Sequence, residues 1–213
     1  MIKNKKQIMK TIKLFTILIL SSLISLSYAF AAGDEAKTTV EKTVSEVQQI
    51  VRNAKPGTAP EKIDTDLRAV IAPVFDFQEM SKRCLGVNWK DATPQEQVQF
   101  TELFSNLLAK NYLKQIRLTA ATSDYHVTAS NQEDTKAVVQ TKVINEKGTL
   151  KIDYRLYNKD QDWKVYDVII ENIGLVSNYR SEFTEIIQKE KIAGLIKQLE
   201  DKVKSNKEAE KES

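Results

Sequence analysis

Apolar residues recur every three or four positions through the first half of this chain and every second position through most of the second, a change of period that predicts helices and then strands. Over residues 36–52, Val40, Val44, Val47 and Val51 form one stripe of a helix, and Lys55-Pro56-Gly57 stops it. A shorter helix is expected over 60–70. Asp76 and Glu79 have the spacing of a capping box, so a third helix bearing Phe77 and Met80 starts there and ends near Gly86. Thr93-Pro94-Gln95-Glu96 joins a capping threonine, a proline at the first helical position and a glutamate at the third. The long helix that it opens carries Phe100, Phe104, Leu107, Leu108 and Tyr112 on one face.

From Tyr125 the period falls to two, and four strands are expected over 125–130, 136–144, 148–157 and 162–173. The stretches between them are short and turn-like, which favours an antiparallel meander. In the third strand Leu150, Ile152, Tyr154 and Leu156 share a face while Lys151, Asp153 and Arg155 point away. The fourth is expected to match it with Tyr166, Val168 and Ile170, leaving Val165 and Ile169 on the reverse side. After Gly174 the helical spacing returns with Val176, Tyr179, Phe183, Ile186 and Ile187, then Ile192, Leu195, Ile196, Leu199 and Val203. Residues 202–213 are mostly Lys, Glu, Ser and Asn and read as a charged, disordered tail. The order of elements predicts an α+β domain over 32–201, a curved antiparallel sheet of about four strands covered on one face by helices.

The segment ahead of that domain changes the electrostatic picture. Lys3, Lys5, Lys6, Lys10 and Lys13, with no acidic residue among them, precede an apolar run over 14–26 and a small-x-small pattern at Ala29-Phe30-Ala31. About 13 apolar residues are too few to span a bilayer, which takes roughly 20, so residues 1–31 read as a cleaved secretory signal. Cleavage removes five of the 32 basic residues and none of the 29 acidic ones, turning a formal charge of +3 into −2. The basic balance of the whole chain therefore belongs to the leader, and no basic stripe remains to support nucleic-acid binding.

Catalytic constellations are scarce. His126 is the single histidine and falls in an expected strand; Cys84 is the single cysteine, which excludes an internal disulfide and reads as a buried thiol. The sequence has no zinc spacing, no phosphate-binding glycine loop and no Gly-x-Ser-x-Gly elbow. Asp153 and Asp167 are expected to be solvated strand residues rather than a carboxylate pair. An enzyme is not indicated, and no cofactor is expected.

Several motifs, in order, resemble one family. Phe75-Asp76-Phe77-x-x-Met80-Ser81, Leu85-Gly86-x-x-Trp89, Ala92-Thr93-Pro94 leading to Phe100, and Phe104-x-x-Leu107-Leu108-x-x-x-Tyr112 are similar to the MlaC family, also called toluene-tolerance auxiliary proteins. Trp163-x-Val165-Tyr166-Asp167-Val168-x-Ile170-Glu171, Leu175-Val176-x-Asn178-Tyr179-Arg180-x-x-Phe183 and Gly194-Leu195-Ile196 continue the resemblance. Cys84 stands where a small apolar residue is usual, and Gly174 where serine is common. The resemblance implies a fold like that of nuclear transport factor 2, with an apolar cavity between sheet and helices. It also implies a periplasmic carrier shuttling phospholipid between an outer-membrane lipoprotein and porin complex and an inner-membrane ABC transporter with its membrane-anchored substrate-binding subunit, so maintaining outer-membrane lipid asymmetry. Phospholipid would be cargo rather than cofactor.

Hiding an acyl chain of about 16 carbons removes on the order of 12 kcal/mol of hydrophobic cost, at ~0.8 kcal/mol per methylene. The side chains expected to face the tails are Phe77, Met80, Phe104, Leu108, Tyr154, Leu156, Tyr166, Val168 and Phe183. Two other readings stay open on the residues alone: an enzyme of the same fold or module binding a small apolar ligand, and an interaction domain with a solid core.

Overall fold

The computed structural model describes residues 35–209, with side chains described through residue 204. The expected signal segment, 1–31, lies outside the described residues. Helix α1 (Glu35–Arg52) is followed by α2 (Pro60–Ile71), a 3₁₀ turn, α3 (Phe77–Leu85), a second 3₁₀ turn and the long α4 (Pro94–Ala120). Strands β1 (Asp124–Glu133), β2 (Lys136–Asn145), β3 (Gly148–Lys159), β4 (Asp162–Ile170) and β5 (Ile173–Gly174) lead into α5 (Leu175–Ala209).

The capping signals act as read. Thr93 Oγ1 accepts from the Glu96 N–H while the Glu96 carboxylate accepts from the Thr93 N–H, a complete capping box with Pro94 beside it. At α3 only half the box forms. Asp76 accepts from the Glu79 N–H, but the Asp76 N–H donates instead to the Val165 carbonyl of β4, at 2.9 Å. The start of α3 is thereby stitched to the sheet, and a parallel bridge between Phe75 and Val165 completes the join.

The strands pair in sequence order, each antiparallel to the next. The expected fourth strand breaks at Glu171 and Asn172, whose φ values of 48° and 67° make a tight turn of the I′ kind, and the chain returns as the two-residue β5. The sheet therefore has five strands rather than four. Directly paired residues of antiparallel strands share a face, so the register places Ala137, Val139 and Thr141 of β2 beside Leu156, Tyr154 and Ile152 of β3.

A bulge in β4 corrects the expected face of that strand. Arg155 pairs with Asp167 but Leu156 pairs with Val165, so Tyr166 is the extra residue. Val165 joins Leu156 and Val168 on the helix-covered face, and Tyr166 falls outside the core cluster those residues belong to.

Beyond Gly174 the helix α5 is two arms meeting at Lys191, whose φ of 63° and ψ of −178° are a conformation that suits glycine. Lys202 reaches Glu182 at 3.2 Å, so the second arm folds back beside the first. The Gln198 amide donates to both Glu190 carboxylate oxygens at 2.9 Å and fixes the corner. The helix runs on to Ala209, so residues 202–209, expected to be disordered, are helical; Lys, Glu and Ala are strong helix formers, and Lys110 Nζ holds the Lys202 carbonyl at 3.4 Å.

At this corner a Cβ on Gly194 would stand 2.3 Å from the Cβ of Glu190. Gly194→Ala is therefore expected to lower stability by about 1–3 kcal/mol, the usual cost of overpacking. Lys191→Gly should act in the opposite direction, by about 1 kcal/mol, because it relieves the backbone strain. Thermal melts of the two variants read the opposite signs directly.

Candidate lipid-binding interior

Between the sheet and the helices lies one apolar cluster that draws on nearly every element. Its centre is aromatic. Phe100 and Phe104, four residues apart on α4, stack at 5.8 Å; Tyr179 and Phe183, four apart on α5, stack at 5.4 Å. Phe183 meets both α4 rings edge to face, at 5.5 and 5.7 Å, and Tyr179 meets Phe104 at 5.2 Å. The sheet contributes Val139, Leu156, Trp163, Val165 and Val168, and α1 contributes Ala36 and Val40. A second, smaller cluster of Val47, Leu67 and Leu113 joins α1, α2 and the far half of α4.

Six of the nine side chains read from the sequence as tail-facing meet in the main cluster, all buried: Met80, Phe104, Leu108, Leu156, Val168 and Phe183. Phe77 and Tyr154 pack against it half-buried. Tyr166 stands apart, ring to ring with Tyr157 at 6.0 Å and with the Arg83 guanidinium 4.2 Å above it. Sequence reasoning passed over Val139 and Val165. The alternation of Ala137, Val139, Thr141 and Val143 could have flagged the first; the bulge concealed the second.

Polar clasps ring this interior and tie helix ends to the sheet. The Ser123 carbonyl at the head of β1 accepts from Gln48 at 3.0 Å and Arg52 at 2.9 Å, anchoring the end of α1. Asp76 accepts from the Tyr157 hydroxyl and, at 3.1 Å, from Lys159, anchoring the start of α3. Asp167, expected to be solvated, is only 4% exposed: one oxygen accepts from the Val176 N–H at 3.1 Å in the first turn of α5, and the other meets Arg155 at 3.4 Å. A carboxylate there is stabilised by the positive end of the helix as well as by the arginine. Gly174 leaves room for this arrangement, since a Cβ on it would lie 3.0 Å from Ser177 Oγ and 3.5 Å from Asp167 Oδ2.

Burial alone would push Asp76 up, but the Tyr157 phenol, the Glu79 N–H and Lys159 outweigh it and hold the carboxyl below its ordinary value of 3.8. An acid whose folded value is depressed contributes stability in full above its unfolded value and loses it as pH falls through the folded one. Acid titration of the melting temperature should therefore show a limb below about pH 4. That limb should shrink in Asp76→Asn, which is also expected to be less stable at neutral pH. An unchanged acid limb would show that the clasp adds nothing.

Cys84 is fully buried, and burial, then the charge of Asp167, push its thiol up to about 12 against the opposing pull of Arg180, which disfavours the reactive thiolate. His126 is exposed on the edge strand. No group of three or more metal-binding side chains occurs among the described residues, nor any helix long and apolar enough to cross a membrane. An open cleft of about 410 Å³, lined by residues including Phe75, Phe77, Lys159 and Lys164, lies at the α3 clasp, and one of about 300 Å³ lies on the reverse face of the sheet.

Comparison with known proteins points the same way as the sequence motifs. The profile of the family described as MlaC protein matches residues 41–201. The toluene tolerance protein ttg2D of Pseudomonas putida is 28% identical over 128 residues, and the chain spans 58% of that relative's length and the alignment 58% of its own. Among solved structures, a phospholipid-binding protein of Ralstonia solanacearum, in complex with a phospholipid, superposes with a TM-score of 0.74 at 26% identity, covering 80% of this chain and 98% of that one.

Proposed function

The chain belongs to the MlaC family, and from that premise we propose that it is a non-enzymatic phospholipid carrier, holding the acyl chains of its cargo between the sheet and the helical cover. The observation that carries this reading is the superposition on the lipid-bound Ralstonia structure over almost the whole of that chain. The chemistry of the interior supports it: a largely apolar face on β2, β3 and β4 is roofed by helices.

The roof is joined to the sheet in two ways. Its ends are held by directional hydrogen bonds at Ser123, Asp76 and Asp167, whereas its middle rests on apolar contact. Apolar contact carries no direction, so side chains such as Met80, Leu108 and Phe183 can exchange one another for methylene chains at little cost, while hydrogen-bonded ends must either stay made or break outright. Cargo thus enters by lifting the middle of the cover about its clasped ends. The carrier has no nucleotide site among its motifs, so a partner must favour the opened state for release. We place that cycle in the periplasm, between an outer-membrane lipoprotein and porin complex and an inner-membrane ABC transporter with its membrane-anchored binding subunit, in the service of outer-membrane lipid asymmetry.

Native mass spectrometry of protein purified without detergent tests the first step. Diacyl phospholipid bound at one per chain is expected. Protein that arrives empty and takes up no lipid from vesicles would overturn the reading.

A further inference from the structure

The face of the sheet that looks into the apolar interior is not uniformly apolar. Register puts Tyr125 of β1, Thr141 of β2 and Tyr154 of β3 on it, and Ser130 of β1 beside Val139. The Tyr125 hydroxyl is buried and makes no hydrogen bond, and the same holds for Ser130 Oγ. The Tyr154 and Thr141 hydroxyls stand beside that of Tyr125 and interact with it, but too long or too bent to close a full hydrogen bond at its oxygen. Thr141 cannot supply a donor in return, because its hydroxyl donates to the Ile152 carbonyl at 2.6 Å.

A buried hydroxyl left unpaired costs about 1–3 kcal/mol, and phenylalanine would pack the same ring without that cost. Tyrosine at 125 therefore makes sense if something outside the chain brings an acceptor. A neutral acceptor suits this place, because an uncompensated anion in an apolar interior is costly. Burial also keeps both phenols protonated, pushing Tyr154 up to about 12 and Tyr125 higher still, so both remain donors at any physiological pH. In a glycerophospholipid the neutral acceptors are the two ester carbonyls at the root of the acyl chains.

We propose that the Tyr125 and Tyr154 hydroxyls hydrogen-bond the ester carbonyls of a diacyl glycerophospholipid, so that the protein selects ester-linked over ether-linked lipid. The inference rests on the carrier reading above and names the part of the cargo that the sheet recognises.

The test loads lipid-depleted protein from vesicles holding equal amounts of a diacyl and a dialkyl phosphatidylethanolamine of matched chain length, and reads the bound ratio by native mass spectrometry. Wild-type protein should take the diacyl lipid about 5–10-fold over the dialkyl one, the scale of one net hydrogen bond. Tyr125→Phe and Tyr154→Phe should each lower that ratio and the double variant bring it near one, with melting temperature unchanged or raised. A wild-type ratio of one, or a ratio kept in the double variant, would overturn the ester assignment while leaving the carrier reading intact. If wild-type protein loaded neither lipid, the carrier reading would fall and the assignment with it.

Discussion

Phe183→Ala should lower the free energy of unfolding by about 3–5 kcal/mol, the range for emptying a buried aromatic site. Phe183 is fully buried and touches three other rings, Phe100, Phe104 and Tyr179, so its removal unpins α5 from α4 as well as leaving a void. Tyr179→Phe serves as the control. It keeps the ring stack and loses the contacts of the hydroxyl, the Asn111 amide donating to it at 3.0 Å and Tyr112 beside it, a loss on the scale of about 1 kcal/mol. Denaturant midpoints that moved equally for the two variants would show that the rings do not act as one cluster.

The second large effect is expected at Asp167. Asp167→Ala removes a buried carboxylate that caps the first turn of α5 and neutralises Arg155, and should cost about 2–3 kcal/mol, since hydrogen bonds to a charged group are worth roughly 1.5–3. Arg155 is about half exposed and can turn to water, which keeps the penalty below that of stranding a fully buried charge. Asp167→Asn retains an oxygen for the Val176 N–H and should lose less. Hydrogen exchange at the start of α5 distinguishes a local loss of the clasp, in which those amides alone speed up, from a general loss of stability.

How much of this could be read from the sequence depended on how local the controlling interaction is. The helix starts at Asp76 and Thr93 were legible because a cap and its partner lie three residues apart. The aromatic faces of α4 and α5 were legible for the same reason, their rings being four residues apart. The bulge at Tyr166 was not, because alternation reads a strand as if every residue had one partner, and only the register against β3 shows that Tyr166 has none. Asp167 was misread as solvated on the same account: its burial comes from α5 closing over it, which no neighbour in sequence announces. The corner at Lys191 was equally hidden, since a lysine in a glycine-like conformation gives no compositional signal. Among the expected tail contacts, the six that came together sit on regular stretches of helix or strand, while Tyr166 was misplaced by the one irregularity beside it.

The meander has a kinetic consequence. Every strand is bonded to its neighbour in sequence, so the sheet can grow hairpin by hairpin, closing only short loops and losing little chain entropy at each step. The costly closures are the long-range ones, in which α1 is tied to Ser123 across more than seventy residues and α3 to Tyr157 across more than eighty. Such contacts are expected to form late, because their loop closures cost the most chain entropy. The last stage of folding is then the settling of helices onto a finished sheet, and its reverse is the cheapest partial unfolding open to the molecule. A carrier that lifts the middle of its cover draws on that same loosely held docking of helix on sheet, with the clasped ends as pivots and the strands left paired.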